Sequence, residues 1–217
     1  ARGVSSDTIQ KLEREIEWKY YLQGRFTEVR EFYSGYVAVF DDESWGYIGE
    51  NGRYTLSPRY KKAGAVSEEI APVVKENGQA CFIEMDGENY FVLNENAVES
   101  GMVNNETFTV KNQNGKTAYY NFKGEKLTEE FEDATPIVNG YGAVKQGGVW
   151  RIIDTEFQEI SSKRFINIRT DGTGILFWND RAFAEQEDGF HMIDKKAEYV
   201  TDKVFEDAIP FYSNTYA

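Results

Sequence analysis

The chain has 217 residues and a formal net charge of −13, from 37 acidic and 24 basic side chains. With no basic stripe to offset that charge, nucleic acid is excluded as a natural partner. Hydrophobic residues make up 41% of the chain and aromatics 15%, so burial rests on Tyr, Phe and Trp more than on aliphatic side chains, as in short strands with one wet face.

The first segment, SSDTIQKLEREIEWKYYLQG, predicts a helix within residues 1–24: Ser5, Ser6 and Asp7 offer a cap, Ile9, Leu12, Ile16 and Tyr20 recur at helical spacing, and Gly24 fits the stop. Its apolar stripe needs cover, and the nearest surface is the segment that follows, so the helix is expected to cap an array; a partner-binding helix is the sharper alternative. No segment approaches the roughly 18 continuous apolar residues of a membrane span, so no membrane insertion is expected. Cys81 stands alone in the apolar run ACFI, which rules out a disulfide frame and suits a small buried hydrophobe.

After Gly24 the apolar period switches from 3.6 to about 2, in runs such as YVAVF, WGYI, FIEM, TAYYNF, YGAV and VWRIID. These runs repeat about every 35 residues, a spacing that marks solenoids, propellers and arrays. Phe26 to Gly52 and Phe131 to Phe157 align without a gap: an aromatic start, an alanine twelve positions on (Ala38, Ala143), then a tryptophan seven further (Trp45, Trp150). A third copy carries Ala71 in its strand and Ala80 at the Trp place, a fourth runs through Phe108 and Val110 into Thr117 and Ala118, and a fifth has an insertion around Asp171 to Gly174 before Phe190. Gly52, Gly87 and Gly124 lie at one register position, seven residues beyond the Trp place. Units are thus expected near 26–58, 59–94, 97–129, 130–163 and 164–202, with a truncated copy over 203–217 that opens FEDAIP, as the copy at Phe131 opens FEDATP. Ala217 falls at the place of Ala143, so the sequence is expected to be a fragment of a longer array.

The fold class that follows is an all-β repeat protein of five to six degenerate units, each of about three short antiparallel strands, with one N-terminal helix. Such a unit cannot bury its own face, so copies must stack, as propeller blades or as a solenoid. The aromatic start, G-x-A-V and the Trp-Gly-Tyr-Ile of residues 45–48 resemble the WG (KWG) β-repeat family of bacterial proteins, from Phe26 to the C-terminus. Only Trp45-Gly46 keeps the dipeptide; the equivalents are Ala80-Cys81, Thr117-Ala118, Trp150-Arg151 and Phe190-His191. The resemblance implies a bacterial, extracytoplasmic or cell-surface repeat protein and supplies no catalytic residues.

Chemistry is thinly signalled. His191 is the only histidine, which removes His-paired nucleophile triads and multi-histidine metal sites. A calcium loop is absent, and Asp86-Gly87, Asp171-Gly172 and Asn112 to Gly115 read as turns. Paired carboxylates for glycoside hydrolysis carry no weight among 37 acidic residues. No catalytic residue, metal or cofactor is expected. Trp45, Gly46, Trp150, Phe190, Ala38, Ala71 and Ala143 read as structural repeat positions, whereas Trp178 breaks register beside Asn179, Asp180 and Arg181, making those four the candidate contact for a partner or ligand. The expected function is a non-enzymatic scaffold for protein partners, with envelope glycan as the alternative ligand.

Overall fold

The computed structural model describes residues 21–30 and 32–209. The helix expected over 1–24 lies outside the described residues except for Tyr21–Gln23, which are helical, and most of the truncated copy over 203–217 lies outside them too. Leu22 is buried and packs with Phe26 on Val37, Val39 and Ile48 of the first unit.

Every unit is an antiparallel meander that starts at an inner segment and works outward. Unit 1 holds β1 (Glu28–Val29), β2 (Tyr36–Phe40), β3 (Trp45–Gly49) and the first half of β4 (Tyr54–Ala63). The second half of β4 opens unit 2, followed by β5 (Ile70–Lys75), β6 (Ala80–Glu84) and β7 (Asn89–Val92). Unit 3 has β8 (Ala97–Ser100), β9 (Thr107–Asn112) and β10 (Thr117–Asn121), and unit 4 has β11 (Asp133–Ala134), β12 (Tyr141–Gln146) and β13 (Val149–Asp154). Unit 5 has β14 (Asn167–Ile168), β15 (Ala182–Gln186), β16 (Gly189–Ile193) and β17 (Tyr199–Phe205). Because β4 serves two units, units 1 and 2 share one seven-stranded sheet, while the others form sheets of three, three and four strands. In units 3 and 4 the outer strand shrinks to the single bridges Tyr120↔Lys126 and Ile153↔Glu159.

Two turns recur in every unit. The inner segment reverses through a two-residue hairpin in which both central residues have positive φ: Ser34-Gly35, Glu68-Glu69, Asn105-Glu106, Asn139-Gly140 and Asn179-Asp180. The flanking residues bridge each other in all five, from Tyr33↔Tyr36 to Trp178↔Arg181; this geometry matches the strand twist and defines the type I′ class. The outer turn also needs one residue at positive φ. Gly52, Gly87 and Gly124 supply it in units 1 to 3, as their common register suggests, and Phe157 (φ 62) and Ala197 (φ 60) supply it in units 4 and 5. In units 3 to 5 an Asn or Asp four residues beyond the Trp place braces this turn with or without glycine: Asn121 Oδ1 accepts from the backbone N–H of Lys123 and Glu125, Asp154 Oδ1 from Glu156 and Gln158, and Asp194 Oδ1 from Lys196 and Glu198.

The core lies between units rather than within them. Ala38, Trp45 and Tyr47 of unit 1 pack on Ala63, Val73 and Cys81 of unit 2, and the opposite face of unit 2, with Ile70, Val74 and Phe82, packs on Val103, Phe108 and Val110 of unit 3. Tyr119 joins unit 3 to Phe131 and Val144 of unit 4, and Trp150 and Ile152 join unit 4 to Phe165, Leu176 and Ala184 of unit 5. Alternate residues of one strand therefore serve two interfaces, and the central strands are buried in continuous runs (residues 37–39, 45–48, 70–74 and 80–83) rather than on one face with the other wet, as in a sheet covered on both faces. Gly46 shows how close the strands lie: a Cβ there would sit 2.7 Å from Leu56 O and from Pro58 N. Gly46→Val should therefore separate β3 from β4 and lower the melting temperature in a thermal scan, with about 1–3 kcal/mol of destabilisation from overpacking.

Candidate functional site

The units converge on an axis, and one hydrogen bond fixes the equivalent residues there. Arg30 N donates to Ala38 O (3.0 Å), Gly64 N to Pro72 O (2.8 Å), Gly101 N to Thr109 O (3.0 Å), Thr135 N to Ala143 O (2.9 Å) and Arg169 N to Phe183 O (2.9 Å). Residues of all five units, among them Arg30, Gly64, Gly101, Pro136 and Gly174, line one cavity of about 240 Å³. Among the described residues no ladder joins unit 1 to unit 5.

Strand register explains where the cavity opens. The pairs Phe40↔Trp45, Val74↔Ala80, Lys111↔Thr117, Lys145↔Trp150 and Glu185↔Phe190 place five residues in one column: Trp45, Ala80, Thr117, Trp150 and Phe190. In units 1 and 5 this position and the axial one fill each other, with the Arg30 guanidinium 4.6 Å from the Trp45 ring and that of Arg169 4.4 Å from Phe190. Units 2 and 3 pair glycine with a small residue instead, Gly64 with Ala80 and Gly101 with Thr117, and the cavity occupies their side of the axis. Lys62, Lys111, Glu99 and Asp133 border it, with Lys62 Nζ and Glu99 Oε2 paired at 2.7 Å.

Toward the type I′ turns the axis is plugged. Met102, Val138 and Ile175 form a buried cluster completed by Tyr33 and Trp178. Burial, and then the Asp171 carboxylate, raise the Tyr33 phenol above its ordinary range. The insertion of unit 5 holds this plug in place: buried Asp171 accepts backbone N–H groups of Thr173 and Ile175 on Oδ1 (both 2.9 Å) and the Trp178 indole Nε1–H on Oδ2 (3.0 Å).

The four residues singled out in the sequence thus divide. Trp178 is half-buried with its N–H bonded inside the molecule, while Asn179 and Asp180 are exposed at the tip of the type I′ turn. Asp180 pairs with Lys195 at 2.6 Å, and these two border a shallow depression with Asn139, Phe177 and Asn179. Half-buried Arg181 turns back to Asp180 O at 2.9 Å. Trp45, Trp150, Phe190, Ala38, Ala71 and Ala143 are buried, and Gly46 faces the backbone of β4. Ala71 stands one place outside the alanine column: Pro72 pairs with Phe82 where Ala38 pairs with Tyr47 and Ala143 with Ile152, because the column lies two residues beyond the bridge that closes the inner hairpin, at Ile70 in unit 2 as at Tyr36 and Tyr141 in units 1 and 4. Composition and periodicity missed the cavity residues Arg30, Lys111 and Thr117; the available signal was threonine at the tryptophan place of unit 3.

Other reactive groups are engaged structurally. His191 Nε2 meets Asp188 Oδ1 at 2.8 Å and its ring stacks 4.4 Å from Tyr199; that hydrogen bond holds the Asp188 carboxyl below its ordinary range. Burial pushes the Cys81 thiol up, which opposes nucleophilic chemistry. Among the described residues no three His, Cys, Asp or Glu side chains group as metal ligands, and no helix is long and apolar enough to cross a membrane.

Five antiparallel meanders stacked about an axis define a β-propeller-like repeat protein. Two segments, residues 45–78 and 119–150, match the WG containing repeat, and the chain carries repeats of that β family. Among solved structures it is similar to Hsv2 of Kluyveromyces lactis (TM-score 0.53, 9% identity, 77% of this chain and 59% of that one). It is also similar to the computationally designed protein Ika8 (TM-score 0.52, 9% identity, 80% of this chain and 60% of that one). These likenesses show the fold alone, and the chain spans about 60% of the length of each. No curated protein matches it.

Asp171→Ala would leave buried backbone donors and the Trp178 indole unpartnered, at about 1–3 kcal/mol for each such group. The expected result is a lower melting temperature together with a red-shifted tryptophan emission as Trp178 leaves the plug; unchanged emission would remove Asp171 from that role.

Proposed function

We propose that this chain is a non-enzymatic scaffold that binds another protein through the outer strands of its units, in a bacterial cell envelope or surface assembly. The observation that carries this reading is the combination of free strand edges with exposed apolar side chains. Among the described residues the outer half of β4 pairs only with β3, β7 only with β6 and β17 only with β16. These strands expose Tyr54, Tyr90, Val92, Tyr199, Val200 and Val204. Exposed apolar groups on an unpaired edge suit an added strand from a partner, whose main chain completes the ladder while its side chains meet the apolar ones. The envelope setting rests on the resemblance to WG-repeat proteins.

A glycan is the second reading. Tyr54 and Tyr199 occupy the same place in their units, opposite Ile48 and Ile193, and repeated tyrosines can stack on sugars. Against it, Trp45 and Trp150 are buried and Trp178 is half-buried.

The test compares the wild type with the double variant Val200→Lys/Val204→Lys in pull-downs from a bacterial envelope extract and on a glycan array. Both substitutions face solvent, so the melting temperature should hold, while a protein retained by the wild type should bind the variant about tenfold more weakly or worse. Glycan binding with no retained protein would overturn the scaffold reading.

A further inference from the structure

The cavity beside units 2 and 3 departs from both the repeat pattern and the chain's overall charge. Thr117 stands where Trp45, Trp150 and Phe190 fill the equivalent space. It is 3% exposed and lines the cavity, and its Oγ1 has no hydrogen-bond partner. Buried polar atoms in folded proteins are satisfied by protein, water or ligand, so this hydroxyl marks a place for a guest with an acceptor.

The charged groups indicate the sign of that guest. Arg30 and Lys111 border the cavity, and neither is paired with a carboxylate among the described residues. The third cation, Lys62, is balanced by Glu99 at 2.7 Å. The remaining acid, Asp133, accepts from the Ala134 backbone N–H at 3.0 Å. In a chain of net charge −13, this concavity is lined by three cations and two anions. At about 240 Å³ it lies below the roughly 300–1,000 Å³ of drug-sized sites, which suits a small molecule and excludes a folded segment. Gly64 cannot take a side chain without displacing the Pro72 ring, since its Cβ would lie 2.6 Å from Pro72 Cγ.

We propose that the axial cavity binds a small anion, a metabolite bearing a carboxylate or phosphate group, with the Thr117 hydroxyl donating to it and Lys111 and Arg30 balancing its charge. This assignment is independent of the outer-strand interface. It is tested by calorimetric titration of the full chain, at low ionic strength, with inorganic phosphate and separately with citrate. Thr117→Val keeps the shape and removes an unpartnered hydroxyl, so the unliganded melting temperature should stay or rise; Lys111→Gln removes the charge and keeps a polar side chain. The wild type is expected to bind one equivalent of phosphate or of citrate, the tighter of the two identifying the chemistry, and each variant to bind it at least about tenfold more weakly. Binding of neither anion, binding that both variants leave unchanged, or a lowered melting temperature for unliganded Thr117→Val would overturn the proposal.

Discussion

The structure depends on contact between successive units, because no unit has a core of its own. Alternate side chains of each central strand face opposite neighbours: Val37 and Val39 turn toward Leu22 and Phe26, while Ala38 turns toward unit 2. Two buried tyrosines strengthen these contacts at equivalent places. Tyr47 donates its hydroxyl to Gly64 O at 2.8 Å, from unit 1 to unit 2, and Tyr119 donates to Thr135 O at 2.6 Å, from unit 3 to unit 4. Burial holds both phenols protonated, well above their ordinary range. Each bond ends on the carbonyl of an axial residue, so the same interaction that joins two units also sets the radius of the inner ring.

That constraint explains why departures from the repeat become the distinctive features of the molecule. An axial residue has to match the residue in the tryptophan column of its own unit. Arginine over an aromatic ring fills the space in units 1 and 5. Glycine beside alanine or threonine leaves it open in units 2 and 3, where the cavity lies. At the turn end, the insertion of unit 5 supplies Asp171 and Ile175, and these close the axis with Trp178. One end of the axis is thus apolar and sealed, while the charged cavity lies further along it.

Local geometry is more uniform than local sequence. All five inner hairpins share one turn class, yet their central pairs run from Asn-Gly to Glu-Glu. Glutamate at positive φ is unfavourable in isolation; the single bridges Ser67↔Ile70 and Asn104↔Thr107, one closing each hairpin, hold Glu68-Glu69 and Asn105-Glu106 there. Phe157 shows the same override at the outer turn, where Asp154 accepts two backbone N–H groups and the phenyl ring packs 5.0 Å from that of Tyr119. Sequence signals for turns are signals for intrinsic preference, and tertiary packing can replace them.

By itself the sequence determined the β class, the repeat length and the column of Trp45, Trp150 and Phe190, because these follow from the local periods of apolar residues and from spacings along the chain, and its Trp45-Gly46 motif carried the resemblance to WG repeats. It also marked Phe26 and Phe131 as recurrent unit starts, and both are buried. Only the tertiary structure decided that β4 serves two units, that Pro72 rather than Ala71 takes the alanine place, and that Trp178 turns inward to Asp171. The axial cavity is of the same kind, since Arg30, Lys111 and Thr117 become neighbours of one space only when five units meet. Spacing along a chain records which residues are equivalent; which of them come together is fixed by the radius at which the stacked sheets pack.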